Sequence, residues 1–198
     1  AASGEIIVFS DANAYYAPGA FAALAENFND PAVGMVTGAK TVRPREHGQQ
    51  GAAASEGTYW KYENAIKKLE TASGSTVAVH GEMLAIRKQL FEPIPKGVLL
   101  DDAYLGLRVI GRGHRVVYEP RATCWEAASR TLKDDEVRRR RNVAGRYQLL
   151  SLAGVWPLAA PLSLFKYVSH KVLRLLLPVF AIIALVANIV AVMTTAPA

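Results

Sequence analysis

The chain has 198 residues and a formal charge of +6, enough length for one ordinary domain plus a membrane element. Its one cysteine, Cys124, excludes an intrachain disulfide and a thiolate zinc cluster, and fits a reducing cytoplasm. The positive charge is densest at Arg138, Arg139, Arg140, Arg141 and Arg146, without a zinc-finger, homeodomain or single-strand-binding signature. Nucleic acid is therefore not expected as a partner; lipid headgroups or a nucleotide diphosphate are.

Taken in chain order, Glu5–Ser10 reads as a strand. Its continuous apolar run suits burial on both faces, as in a mainly parallel sheet. A chain that opens so abruptly on a strand is expected to be a fragment or truncated. Pro18 and Gly19 introduce a helix over 20–28, broken by Asn29-Asp30-Pro31. Residues 33–37 read as the next strand, so the first unit is strand, helix, strand. Residues 43–52 form a polar loop, and Ser55–Leu69 has helical spacing, with Tyr59, Tyr62, Ile66 and Leu69 as its larger apolar positions. Residues 77–79 and 83–86 are short strand-like runs around His80-Gly81-Glu82. Asp101–Ile110 is a helix stopped by Gly111 and Gly113, Arg115–Tyr118 a strand, and Leu132–Leu152 a helix carrying the arginines.

The C-terminal third changes character. Leu175–Met193 contains no charged residue and is long enough to cross a bilayer as a helix. Lys166, Lys171 and Arg174 precede it and no charge follows, so the soluble portion is expected on the cytoplasmic side of a cell inner or plasma membrane. A buried core helix is the alternative. Leu149–Phe165 is also uncharged, but Pro157 and Pro161 make it a poor spanning helix. An interfacial or re-entrant segment is expected there, with Trp156 and Tyr167 near the headgroups. The expected divisions are 1–148, 149–171 and 172–194.

Four groups of residues carry candidate chemistry. Asp11-Ala12-Asn13 stands where a strand ends, and a carboxylate with an amide oxygen suits a hard divalent ion. The same residues also favour a plain turn. Asp101-Asp102 opens a helix; one carboxylate can cap it while the other serves a cleft as general base. Arg138 and Arg141 share a helix face and suit phosphate oxygens, although a solvated basic patch has the same composition. At His80-Gly81 a ligand can approach the backbone. Trp60, Trp125 and Tyr147 are either sugar-stacking surfaces or core, and Cys124, lacking a histidine partner, is read as packed. His47, His114 and His170 show no metal-site spacing.

Together these blocks resemble the later part of a membrane-associated family two glycosyltransferase, the group that includes cellulose, chitin and hyaluronan synthases. Asp11-Ala12-Asn13 resembles the metal-binding Asp-x-Asp motif, and residues 79–87 resemble the segment that shapes the acceptor site. Asp101-Asp102 followed by Leu105, Leu107 and Arg108 resembles the acidic block whose second residue is the catalytic base. Residues 138–145 line up with the Gln-x-x-Arg-Trp motif, and Lys171–Arg174 with Pro178 resembles the entry to the membrane region.

The resemblance implies an α/β, partial GT-A fold, a UDP- or other nucleotide-activated sugar donor, and Mg2+ or Mn2+ at Asp11 and Asn13. It implies inversion at the anomeric carbon, with Asp102 as base and His80, Gly81 and Asp101 supporting base or acceptor. Arg138 and Arg141 then hold the diphosphate. A saccharide or lipid-linked molecule is the implied acceptor. Asn13 replaces the usual second aspartate, while Arg138 and Asn142 stand at the glutamine and tryptophan positions. A single-sugar or short-oligomer transferase therefore fits as well as a polymerase. The family's N-terminal strands, with the glycine-rich start, are expected before Glu5, and without them the nucleotide pocket is incomplete. An inactive membrane scaffold and a basic module binding anionic lipid are the alternatives.

Overall fold

A computed structural model describes residues 3–43, 50–127 and 131–195. Its centre is β3 (Val33–Arg43), an eleven-residue strand. β3 pairs antiparallel with β4 (Met83–Arg87) and parallel with β5 (Arg115–Ala127). β1 (Ile6–Ser10) lies outside β4, and β2 (Tyr15–Tyr16) outside β5, giving the order β1-β4-β3-β5-β2.

This corrects the expectation of a mainly parallel sheet, because only β3 with β5 runs parallel among the described pairings. β1 is an edge strand with Val8 44 % exposed. Its apolar run still serves both faces: Ile7 and Phe9 pack against one core, Ile6 against the other. β5 also runs farther than the expected Arg115–Tyr118. It continues past Pro120 because the register with β3 shifts between Gly38 and Ala39, a bulge that tolerates a residue without an N–H.

Two layers of helix cover the sheet. α1 (Ala20–Glu26) buries Ala20, Ala23 and Leu24 on the face with Val36, Ala85 and Val117. α3 (Asp101–Gly111) buries Leu105, Leu107, Val109 and Ile110 on the other face, with Met35, Leu84, Ile86 and Val116. Residues 77–79, expected as a strand, join no ladder. They are buried, and side chains hold their flanks instead: Val77 N–H donates to Glu70 Oε2 at 3.0 Å, and His80 N–H to Thr37 Oγ1 at 3.2 Å.

α2 (Gln50–Ala72) inverts the usual logic of a helix face. Glu63, Lys67 and Glu70, spaced i, i+4 and i+7, are buried, while Tyr62 and Leu69 are 56 % and 70 % exposed. The charged stripe is covered from the C-terminal side. Arg174 Nη1 donates to Glu63 Oε1 at 2.7 Å and Lys171 Nζ to Glu63 Oε2 at 3.2 Å, while His170 Nδ1 lies 2.9 Å from Glu70 Oε1. Lys166 Nζ donates to the carbonyls of Glu70, Ser73 and Ser75 at 2.8–3.1 Å, satisfying oxygens around the C-terminal end of α2.

α4 (Leu132–Ser151) starts at a reciprocal cap: Thr131 Oγ1 accepts Asp134 N–H and Asp134 Oδ2 accepts Thr131 N–H. After an irregular stretch come α5 (Pro161–Lys166), a π-helical turn over Tyr167–Val172 and α6 (Leu173–Thr195). From Pro161 to Thr194 the helical stretch is 34 residues long, and only 6 % of its most apolar part is buried. The core-helix alternative fails on that exposure; this is a helix long and apolar enough to cross a membrane. Leu149 of α4, Val155 of the irregular stretch and Tyr167 of the π-helical turn lie inside the α3-side core, with Trp156 packed against it, so Tyr167 is buried in protein rather than placed near the headgroups as expected.

Candidate active site

A cavity of about 1180 Å³ opens beyond the end of β1, bounded by the turn before β4, the start of α3, one face of α4 and the start of α6. Asp11, His80, Gly81, Asp101, Asp102, Arg138 and Arg141 all line it, so the fold brings together residues that the sequence separates by 130 positions.

Asp102 sits in the first turn of α3. Its Oδ2 accepts Gly81 N–H at 3.1 Å and its Oδ1 accepts Ala103 N–H at 2.7 Å. Burial pushes its carboxyl up to about 6; the Ala103 N–H opposes that shift, while the charges of Asp101 and Glu82 add to it. Asp101 is exposed, and its Oδ1 accepts Asp102 N–H at 3.0 Å, a cap-like contact. The neighbouring carboxylates thus take different places, one on the helix rim and one against the turn. A Cβ on Gly81 would meet Asp102 only at 3.7 Å, an ordinary contact, so what this position supplies is its N–H.

His80 packs edge-on to Trp60, ring centroids 4.8 Å apart. Burial, with the charges of Lys67, Lys171 and Lys40, holds its imidazole well below its ordinary range, so it is neutral. Its Nε2 and Trp60 Nε1 are buried without a hydrogen-bond partner, and both residues line the cavity.

Asp11 makes the expected turn, its carbonyl accepting Ala14 N–H at 3.1 Å, and also lines the cavity. Burial and the charges of Glu82 and Glu126 raise its pKa, against Lys40. Asn13 does not line the cavity; its Nδ2 donates to Glu126 Oε2 at 3.4 Å, which leaves its Oδ1 as a ligand. Among the described residues no three His, Cys, Asp or Glu side chains converge as a metal site. Asp11 and the Asn13 oxygen are of the donor type a hard divalent ion takes, but only Asp11 lines the cavity.

Arg138 donates to Glu126 Oε1 at 3.2 Å and to Asp135 Oδ1 at 2.9 Å. Arg141 is exposed and makes no ion pair among the described residues. Arg139 and Arg140 pair within α4 with Asp135 and Glu136. At the α6 end the cavity is walled by Tyr59, Glu63, Arg146, Lys171, Arg174 and Leu175.

Several residues here escape sequence reasoning. Lys40 is 4 % exposed and ion-paired with Glu82 and Glu126. Its only signal was a charge inside an apolar stretch, just beyond the expected end of that strand. Trp60 reaches the cavity. Trp125 instead stacks on Tyr15, centroids 5.9 Å apart, and Tyr147 donates its hydroxyl to the Leu175 carbonyl at 3.1 Å, joining α4 to α6. Cys124 is buried, and burial raises its thiol to about 11, an inert packed residue. His170 belongs to the α2 contact, His114 Nδ1 is buried without a partner, and His47 lies outside the described residues.

No curated protein matches the chain closely. Among solved structures, a mannosyltransferase from Pyrobaculum calidifontis, in complex with GDP-Man and Mn2+, superposes with a TM-score of 0.67 at 24 % identity. The match covers the whole of this chain and 52 % of that one, so the chain spans about half the length of its structural relative. That likeness shows the fold, an α/β GT-A-like sheet with helical flanks and one C-terminal helix of membrane-spanning length. The model of the family described as "Glycosyltransferase like family 2" matches residues 1–145, the sheet, its flanking helices and the arginine-bearing start of α4, and the chain accordingly belongs to that glycosyltransferase family.

Proposed function

We propose that this chain carries the acceptor-side machinery of an inverting, membrane-anchored glycosyltransferase that uses a UDP- or GDP-linked sugar. The observation that carries the reading is Asp102: a carboxylate beside a large cavity, with a pKa of about 6, held by Gly81 from the turn that also bears His80. Such a group is ionised at neutral pH yet basic enough to take a proton from an acceptor hydroxyl. The freed oxygen attacks the anomeric carbon from the side opposite the diphosphate. The carbon–oxygen bond to diphosphate breaks, and Arg138 and Arg141 meet the charge that develops there. His80 and Trp60 line the cavity on the acceptor side. Asp11 and Asn13 would hold Mg2+ or Mn2+, which when bound neutralises charge on the leaving diphosphate.

The acceptor reading is a saccharide carried on a lipid. It is supported by the reach of the cavity from Asp102 to Arg146, Lys171, Arg174 and Leu175, where α6 begins. In this reading α6 anchors the chain, the exposed Leu158, Leu162 and Phe165 of the segment before it lie at the interface, and the catalytic portion faces the cytoplasm.

Calorimetry on the detergent-solubilised chain tests the reading, with UDP and GDP, in Mn2+ or in EDTA. Metal-dependent binding that is lost in Asp11→Ala is expected. Binding indifferent to metal and to Asp11, but falling steeply with salt, would favour the basic lipid-binding module instead.

A further inference from the structure

The outward face of α2 is apolar where a water-exposed helix would be polar. Tyr62, Ile66 and Leu69, spaced i, i+4 and i+7, form one stripe; Tyr62 and Leu69 are exposed and Ile66 half-buried. At 3.6 residues per turn this stripe runs between the buried Glu63, Lys67 and Glu70 on one side and the exposed Lys61 and Lys68 on the other. An aromatic ring, two aliphatic side chains and flanking lysines make the pattern of a helix lying in a membrane surface. There lysine stems run along the apolar face and their ammonium groups reach the headgroups.

The buried stripe ties α2 to the root of the membrane helix. Lys166, His170, Lys171 and Arg174, which hold it, come from α5, the π-helical turn and the first turn of α6. A hollow of about 660 Å³ runs between the two elements, with Tyr62, Ile66 and Leu69 on one wall and Leu173, Leu177 and Phe180 on the other. Phe180 follows Arg174 by six residues, about 9 Å along the helix axis. An interfacial helix sinks its apolar face about 5–10 Å into the boundary of headgroups and acyl chains. The α2 stripe therefore stands at the level where α6 enters the apolar layer.

We propose that the face of α2 bearing Tyr62, Ile66 and Leu69 is a second membrane contact, a docking surface for an anionic lipid bilayer. Lipid is the occupant because the second wall of the hollow belongs to α6, whose apolar surface continues from Leu177 and Phe180 to the exposed Ile182, Ile183 and Leu185. Lys61 and Lys68 favour anionic headgroups. The proposal rests on α6 as the membrane anchor and on no assumption about the reaction. A single spanning helix lets the domain swing about its entry point. The α2 contact orients the domain rather than retaining it, and holds the α6 end of the large cavity, at Arg146, Lys171 and Arg174, at headgroup level.

Depth measurement on the full chain in vesicles tests this. Cys124 is buried, so a thiol-reactive fluorophore is directed by Leu69→Cys, with Phe180→Cys on α6 and Ala25→Cys on α1, across the sheet, as references. The vesicles are phosphatidylcholine with phosphatidylglycerol; nitroxide lipid is one quencher, and iodide on both sides of the bilayer is the other. The Leu69→Cys label is expected to lose emission to nitroxide lipid and keep it in iodide, as the Phe180→Cys label does, while the Ala25→Cys label does the reverse. In pure phosphatidylcholine the lipid quenching of the Leu69→Cys label is expected to fall. Adding Lys61→Glu and Lys68→Glu is expected to produce the same fall in the mixed vesicles.

A Leu69→Cys label quenched by iodide and not by lipid overturns the proposal, since the face is then open to water. Protection from both quenchers also overturns it and puts a second copy of the chain, or a helix of another protein, in the hollow. Lipid quenching of the Phe180→Cys label alone refutes the α2 contact and leaves the anchor standing. Its absence at Phe180→Cys refutes α6 as the anchor, and the proposal falls with it. All three labelled positions are exposed, so the substitutions leave the packed core untouched.

Discussion

The backbone N–H of Gly81 reaches Asp102 Oδ2 at 3.1 Å, joining the turn before β4 to the first turn of α3. That contact fixes one carboxylate oxygen in a site where burial disfavours charge. Burial makes the carboxylate basic for an aspartate, against the Ala103 and Gly81 N–H groups, and the Gly81 contact holds it on the turn that carries His80.

The pH dependence of transfer should report this residue. With a pKa raised to about 6, Asp102 is protonated below that value and available as a base above it. kcat/KM is expected to rise through about pH 6 and level off at higher pH. Asp102→Asn is expected to lower kcat by about 10²–10⁴-fold with nucleotide affinity nearly intact, since only the proton acceptor is lost. A pH profile that is flat from 5 to 8, or substantial transfer by the variant, would place the base elsewhere.

Lys67 makes a contrasting prediction about stability. It is fully buried; its Nζ lies 3.4 Å from the Gly38 carbonyl and 4.4 Å from the Tyr118 ring centroid. Burial pulls its pKa down to about 7, against the attraction of Glu63. The folded chain therefore holds this proton less tightly than the unfolded chain, and stability should rise as pH climbs from about 7 toward the ordinary lysine range. Lys67→Met is expected to stabilise the fold by about 1–3 kcal/mol at neutral pH, with the gain shrinking by pH 10. Thermal unfolding across that range checks the sign. A variant melting lower than the parent at pH 7 would mean that the lysine holds the fold together.

The blocks with local signatures were legible in the sequence: the Asp11 turn at a strand end, the acidic start of α3, the arginine face of α4 and the uncharged run of α6. Each is set by neighbours in the chain, through turn chemistry, helix termini or hydropathy. The buried face of α2 was not legible. Its stripe of Glu63, Lys67 and Glu70 reads as solvated, and becomes interior only because Lys166, His170, Lys171 and Arg174 arrive from about 100 residues away. Lys40 was hidden for the same reason, since neither Glu82 nor Glu126 is near it in the chain. Residues 77–79 misled by composition, because an apolar run cannot reveal that side chains rather than a neighbouring strand satisfy its backbone.

The anchor can be located by truncation. Removing residues 172–198 deletes all of α6, including its exposed apolar surface. The shortened chain is expected to leave the membrane fraction under neutral salt. Retention would move the main attachment to Leu149–Phe165.

Glu63 is where the helix of membrane-spanning length meets the sheet domain. The carboxylate is 1 % exposed and accepts Tyr59 at 2.9 Å, Arg174 at 2.7 Å and Lys171 at 3.2 Å, with His170 alongside at 3.3 Å. Burial would raise its pKa, but His170, Lys171 and Arg174 more than offset this and hold it well below the usual carboxylate range. Glu63→Gln keeps the shape and removes the charge, leaving the cations around it without their shared partner. Breaking one side of a buried ion cluster costs about 3–5 kcal/mol, which for a chain of this length corresponds to a fall in melting temperature of roughly 10 °C. Protease sensitivity between α4 and α5 should rise with it, because that stretch is held at one end by the α2 contact. A melting temperature within about 2 °C of the parent would show that the buried cations find other partners, and that apolar packing of Tyr167 and Leu175 alone seats the helix on the domain.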